Sequence, residues 1–125
     1  MAKRIRIVAG DVTLDGALNE SATAEKIWDA LPIEASASTW GDEIYFEIPV
    51  VADEAPDARA DVEVGTLAYW PVGHAFCIFF GPTPAGRGDQ PRAYSPVNVI
   101  GRVVDDATEL RAVGDGAAVR IEAAK

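Results

Sequence analysis

The clearest pattern in the chain is an alternation of apolar and polar residues from Glu43 to Val50. Ile44, Phe46, Ile48 and Val50 fall on one side of an extended segment, and Glu43, Tyr45, Glu47 and Pro49 on the other, because successive strand side chains point to opposite faces. The pattern predicts a strand with one core face and one wet face. Pro49 has no N–H for a ladder and marks an edge or a bulge at that end. The same period recurs near the start, where Ile5 and Ile7 alternate with Arg4 and Arg6, and Val12 and Leu14 follow Gly10-Asp11. An opening hairpin is expected there. Between these segments the period becomes helical. Ala24, Ile27, Trp28 and Leu31 are spaced i, i+3, i+4 and i+7, with Ser21 placed to cap, Glu25 in the first turn and Pro32 as the stop.

Trp40-Gly41-Asp42 reads as a turn, and Ala52 to Arg59, with three acids, one proline and three alanines, as a loop. Val62, Val64 and the run Leu67 to Trp70 resume strand character. Phe76 to Phe80 is apolar throughout, which predicts a central strand covered on both faces. Gly81 to Pro96 carries four prolines and three glycines without periodicity, the composition of a long, mobile loop. Val97 to Val104 is expected to be a strand, Asp105 to Arg111 a short turn or helical piece, and Ala117 to Ile121 a last strand after Gly114-Asp115-Gly116. About eight short strands with one main helix favour a closed barrel over a βαβ sheet, with a sandwich as the alternative. The core of such a barrel would contain Ile5, Ile7, Ile27, Leu31, Ile44, Phe46, Ile48, Phe79, Ile100 and Val103. No repeat or linker divides the sequence, so residues 1–125 are expected to form a single domain.

Composition narrows the function classes. Hydrophobic residues make up 49% and charged residues 25%, an ordinary globular balance that excludes disorder over most of the length. Twenty acidic against eleven basic residues give a formal charge of −9, which disfavours nucleic acid and anionic membrane as partners. No stretch is long and apolar enough to span a bilayer. The lone cysteine, Cys77, has no internal disulfide partner, and a cytoplasmic location is expected. His74 and Cys77 are three residues apart, an odd offset that points strand side chains to opposite faces, so neither a nucleophile-base pair nor a metal site is expected. No cofactor is expected.

Several motifs together carry a family resemblance. Trp40-Gly41-Asp42-Glu43-Ile44-Tyr45-Phe46, Gly65-Thr66-Leu67-Ala68-Tyr69-Trp70-Pro71, Phe79-Phe80-Gly81-Pro82-Thr83-Pro84 and Ser95-Pro96-Val97-Asn98 resemble a family of small prokaryotic cyclophilin-like proteins of uncharacterised function. Thr23-Ala24-Glu25-Lys26-Ile27 and Val97-Asn98-Val99-Ile100-Gly101-Arg102-Val103 are similar to a helix and a strand of cyclophilins. The resemblance covers nearly the whole chain. It implies a closed eight-stranded barrel capped by helices and a ligand groove on the outer wall. Matching Tyr45-Phe46-Glu47-Ile48 to the cyclophilin strand places Glu47 where the cyclophilin arginine stands, and the cyclophilin glutamine, tryptophan and histidine have no counterparts. These departures count against prolyl isomerase activity.

The ligand-binding set expected on this basis is Tyr45, Glu47, Tyr69, Phe80, Thr83 and Arg92. Tyr69 and Trp70 are adjacent, so only one of them would face the groove. Arg87 and Arg92 are candidates for holding a carboxylate. Glu43 and Glu47, on the same strand face with Tyr45 between them, are candidate acid and base residues. Three function classes follow: a small-molecule or peptide binding module; an enzyme, either a weak prolyl isomerase or an acid-base catalyst; and a homo-oligomeric structural protein. A carboxylate in place of an arginine favours a ligand with a positive or hydrogen-donating group.

Overall fold

The computed structural model describes residues 3–86 and 88–124; Arg87 lies outside the described residues. The opening hairpin forms as the alternation requires, with β1 (Lys3–Ala9) antiparallel to β2 (Val12–Leu18) and Ala9 opposite Val12. The helix α1 (Ala22–Ala30) starts where Ser21 accepts a hydrogen bond from the Ala24 N–H at 3.2 Å. It buries Ala24 and Ile27, while Leu31 is already the extended residue that ends it. Leu31 is therefore half-buried at the edge of the core rather than inside it.

Two short strands absent from the sequence expectation follow, β3 (Ile33–Ser36) and β4 (Ser38–Thr39). After them come β5 (Glu43–Glu47), β6 (Arg59–Asp61), β7 (Thr66–Trp70), β8 (Ala75–Phe79), β9 (Arg92–Val103) and β10 (Ala118–Ala123), with a 3₁₀ helix at Ala107–Ala112. The fold is mainly β. Its ten strands form one antiparallel sheet in the order β3-β10-β1-β2-β9-β7-β8-β5-β4, with β6 added alongside β9.

The expected closed eight-stranded barrel is not what forms, because no ladder joins β3 to β4 at the two ends of the sheet. Instead the end strands are successive pieces of one extended segment. Residues 33–36 bond to β10 and residues 38–39 bond to β5. Between them Ala37 donates its N–H to the Ala117 carbonyl at 2.8 Å and accepts from the Gly116 N–H at 2.7 Å. The sheet curls far enough that Ile33 from one end and Ile44 from the other share one buried cluster. Phe46 and Phe76 stack inside it, ring centroids 5.3 Å apart.

Four other expectations are corrected. Arg92 to Pro96 belongs to β9, so the loop ends at residue 91. Pro96 is tolerated because it falls where the β6-β9 register shifts, between the Asp61-Arg92 and Arg59-Val97 pairs, and no regular ladder bond is lost. The strand character expected at Val62 and Val64 is confined to Arg59–Asp61 just before them. The outer face of β5 is wet only at Glu47. Glu43 is buried and Tyr45 half-buried, because a second cluster of Val62, Ala68, Ala75, Cys77, Phe79, Ala93 and Val97 covers that side of the sheet. Phe79 packs there and not in the inner core. The central strand β8 is buried on both faces as expected: Phe76 and Ile78 point inward, and Ala75, Cys77 and Phe79 outward.

Candidate functional site

Four neighbouring strands, in the order β9, β7, β8, β5, present their outer faces to the second cluster. On β8 and β7 the central outward residues are small: Cys77 lies opposite Ala68 on one side and opposite Tyr45 on the other, and Ala75 lies opposite Trp70. The flanking residues are large. On the same outer face lies a cavity of about 140 Å³, lined by Trp40, Glu43, Tyr45, Trp70, Ala93, Tyr94 and Val97.

Each wall has a local cause. Trp40 is carried by the turn before β5, closed by its N–H bond to the Glu43 carbonyl at 3.0 Å. Gly41 in this turn has φ of 60°, and a Cβ there would lie 2.8 Å from Pro84 and 3.0 Å from the Pro82 carbonyl, so the turn needs glycine. Trp70 ends β7, and its ring lies over Gly73, where a Cβ would be 2.6 Å from the ring carbons. Its indole N–H donates to Ser95 Oγ at 2.6 Å, which ties the ring to β9. Tyr94, 76% exposed, stands edge-on to both indoles, 6.0 Å from Trp40 and 6.1 Å from Trp70. The three rings form three sides of a box, with Glu43 and Tyr45 from β5 completing its lining.

Glu43 is the one carboxylate of this box and is only 6% exposed. Burial penalises its charged form and pushes its pKa up to about 7, while a hydrogen bond from the Cys77 thiol opposes the shift. The thiol pKa is itself raised well above its ordinary value, first by burial and then by the Glu43 charge and hydrogen bond. The Cys77 sulfur also lies 3.8 Å from the Ala75 carbonyl. With a single proton it serves one acceptor at a time. Near neutrality Glu43 is present in both protonation states, so its carboxyl group accepts or donates a hydrogen bond according to pH.

The residues expected at the groove divide sharply. Tyr45 lines the cavity. Glu43, considered from sequence as a candidate acid or base, lines it too. Glu47 is exposed at the end of β5, opposite Ala75, and is not part of the lining. Tyr69 and Phe80 point into the inner core: Tyr69 is fully buried and donates its hydroxyl to the Val50 carbonyl at 2.7 Å. Trp70 is the member of the Tyr69-Trp70 pair that faces outward. Thr83 is buried and makes two bonds to the Arg92 backbone, accepting from its N–H at 3.0 Å and donating to its carbonyl at 2.5 Å. The Arg92 guanidinium pairs with Asp61 at 2.7 Å, beside a separate depression lined by Asp61, Ala85, Gly86, Gln90 and Arg92. His74 is exposed in the β7-β8 turn and Cys77 is buried, so the two do not meet. Trp40, Ala93, Tyr94 and Val97 were not expected at the site. Trp40 beside the Gly41 turn and Tyr94 between Pro91 and Pro96 carry a signal, an aromatic residue in a segment that reads as turn or loop; Ala93 and Val97 carry none.

The mainly β architecture is as the motifs implied, although the sheet is curled and open and is not a closed eight-stranded barrel. Residues 3–122 match the cyclophilin-like family, and the chain belongs to that family. It is similar to a hypothetical protein from Archaeoglobus fulgidus with a known solution structure. The two are 41% identical, the match covers 98% of this chain and 95% of the other, and the TM-score is 0.83. No curated protein matches the sequence.

Proposed function

We propose that this protein is a non-catalytic binding module for a small organic molecule, which it holds in the outer-face pocket. The observation that carries the reading is the combination at one place of a cavity of about 140 Å³, four aromatic side chains and one buried carboxylate. A cavity of roughly 150 Å³ takes up a benzene-sized molecule, and a mostly apolar cleft with few polar groups is the usual form of a small-molecule site. The placement of Glu47 supports binding over catalysis, since an acid and a base working on one substrate need both carboxylates at the cavity and only Glu43 is there. The absence of the cyclophilin arginine, glutamine, tryptophan and histidine supports the same choice over prolyl isomerisation.

Ligand-observed NMR against a panel of small amines, carboxylates and neutral alcohols tests the proposal. Compounds that bind should perturb the Trp40 and Trp70 indole signals and lose affinity in Tyr94→Ala, a substitution at an exposed ring that leaves the fold intact. Binding that is indifferent to Tyr94→Ala and to Trp40→Leu would move the site elsewhere.

One observation favours a second reading. A carboxyl group with a pKa of about 7 suits proton transfer near neutrality, so Glu43 alone could act as an acid-base group on a molecule bound beside it. Turnover of a bound compound that is lost in Glu43→Gln while binding persists would establish this reading instead.

A further inference from the structure

Which chemistry the pocket suits follows from its walls. The faces of Trp40, Trp70, Tyr45 and Tyr94 carry the negative lobes of their ring quadrupoles, and the one ionisable acid among them is Glu43. Among the described residues, no lysine, arginine or histidine lines the cavity. An anion would find no cationic side chain in the lining and would be repelled by ionised Glu43. A neutral apolar occupant would fill the space but leave the ionised form of Glu43 without a counter-charge, so it would bind at the cost of protonating that group. A bare ammonium would lose its hydration shell and find few acceptors, since the only oxygens of the lining side chains belong to Glu43 and the two tyrosines. An ammonium whose hydrogens are replaced by methyl or larger alkyl groups needs few acceptors, fills the volume and spreads its charge over ring faces.

We propose that the pocket binds an alkylated ammonium group, with Glu43 as its counter-ion and the rings of Trp40, Trp70, Tyr94 and Tyr45 as its cage. The proposal rests on reading the pocket as a ligand site and deepens that reading by naming the ligand class. Tyr94 is the exposed wall, so it is the side through which the group enters.

Cys77 from β8 hydrogen-bonds to Glu43, and the other titratable groups of the lining are Tyr45 on the same strand and Tyr94 on β9. Cys77 remains a thiol throughout the physiological range because its pKa is raised. Glu43 is then the group that makes binding pH-dependent. Acid neutralises the counter-ion, and affinity falls by up to about tenfold per pH unit below its pKa.

The experiment uses the whole chain and two matched probes: choline, and its uncharged carbon analogue in which a tert-butyl group replaces trimethylammonium. Binding is followed by quenching of tryptophan fluorescence and by calorimetry. Choline should bind at least about tenfold more tightly than the analogue, a preference expected from one desolvated cation-π and ion-pair site. Glu43→Gln, checked for folding by circular dichroism, should erase the preference and flatten the pH profile, and Tyr94→Ala should weaken choline by a similar factor. A short peptide containing trimethyllysine separates the sources of the group: tighter binding of the peptide identifies a protein side chain, and equal or weaker binding a free small cation. Equal affinity for choline and its analogue would overturn the ammonium proposal while leaving a small-molecule site in place. Binding of neither probe would also overturn it, and the panel of amines, carboxylates and alcohols would then decide the fate of the site itself.

Discussion

Glu43 concentrates the chemistry of the molecule in one residue. Its pKa in the folded protein, about 7, lies above the ordinary value of 4.5, so the folded state binds the proton more tightly than the unfolded chain does. The stability this provides is fully present below pH 4.5, declines as pH rises, and is lost above about pH 7. Other carboxylates obscure this trend in the parent protein, so the informative quantity is a difference. Urea unfolding of Glu43→Gln and the parent should show the variant gaining about 2 to 3 kcal/mol relative to the parent between pH 4.5 and about 8, a figure reduced for the solvent that still reaches the group. A constant difference over that interval would mean that Glu43 is solvated like a surface acid. The row Glu43, Tyr45, Glu47 was visible in the sequence as one face of a strand. What the sequence could not show is that the cover ends before Glu47, because the covering residues, Val62, Ala93 and Val97, come from segments remote in the chain. The adjacent pair Tyr69-Trp70 was undecidable for a similar reason: with buried surfaces on both sides of β7, hydrophobicity no longer marks which face is inner.

At the scale of elements, periodicity identified the longer alternating strands and the capped helix, and it failed on short segments and where prolines interrupt the pattern. β3 and β4 carry short mixed sequences, and they are strands because the ends of a curled sheet need partners. The N-terminal part of β9 was hidden by Pro91 and Pro96, which read as loop signals although the second sits at a register shift. The join between the loop 81–91 and β9 is made by Thr83, whose hydroxyl takes both backbone groups of Arg92. Thr83→Val keeps the shape and deletes both bonds, leaving the Arg92 N–H and carbonyl without this partner in a part-buried setting. The expected cost is about 1 to 3 kcal/mol, accompanied by faster amide exchange at Arg92 and unchanged exchange within β8. Parent-like protection at Arg92 would show that the β6-β9 pairing holds the strand without the loop.

The whole molecule is a sheet with a core on each side, and the two cores have different tasks. The inner one gathers side chains from nearly every strand and from both helical segments, so it is the site of global stability. The outer one is small and leaves a cavity, an arrangement that trades packing for a binding volume. Substitutions on opposite faces should therefore separate stability from binding. Phe46 is 2% exposed and stacked on Phe76 inside the inner cluster, and Phe46→Ala should cost about 3 to 5 kcal/mol as a cavity substitution. Val97 is 1% exposed and lines the pocket. Val97→Ala removes two methyl-sized groups, worth about 1.5 kcal/mol of burial, and widens the cavity that the ligand fills. In urea unfolding followed by fluorescence the first variant should lose far more stability than the second. In titrations under conditions where both remain folded, the order should invert: Phe46→Ala should bind like the parent per folded molecule, because its defect lies across the sheet, whereas Val97→Ala should weaken a ligand that fits the parent and favour one with an added methyl group. Equal losses of stability, or a binding defect shared by both variants, would mean that the two faces form one cooperative unit and that the outer pocket cannot be altered without disturbing the fold.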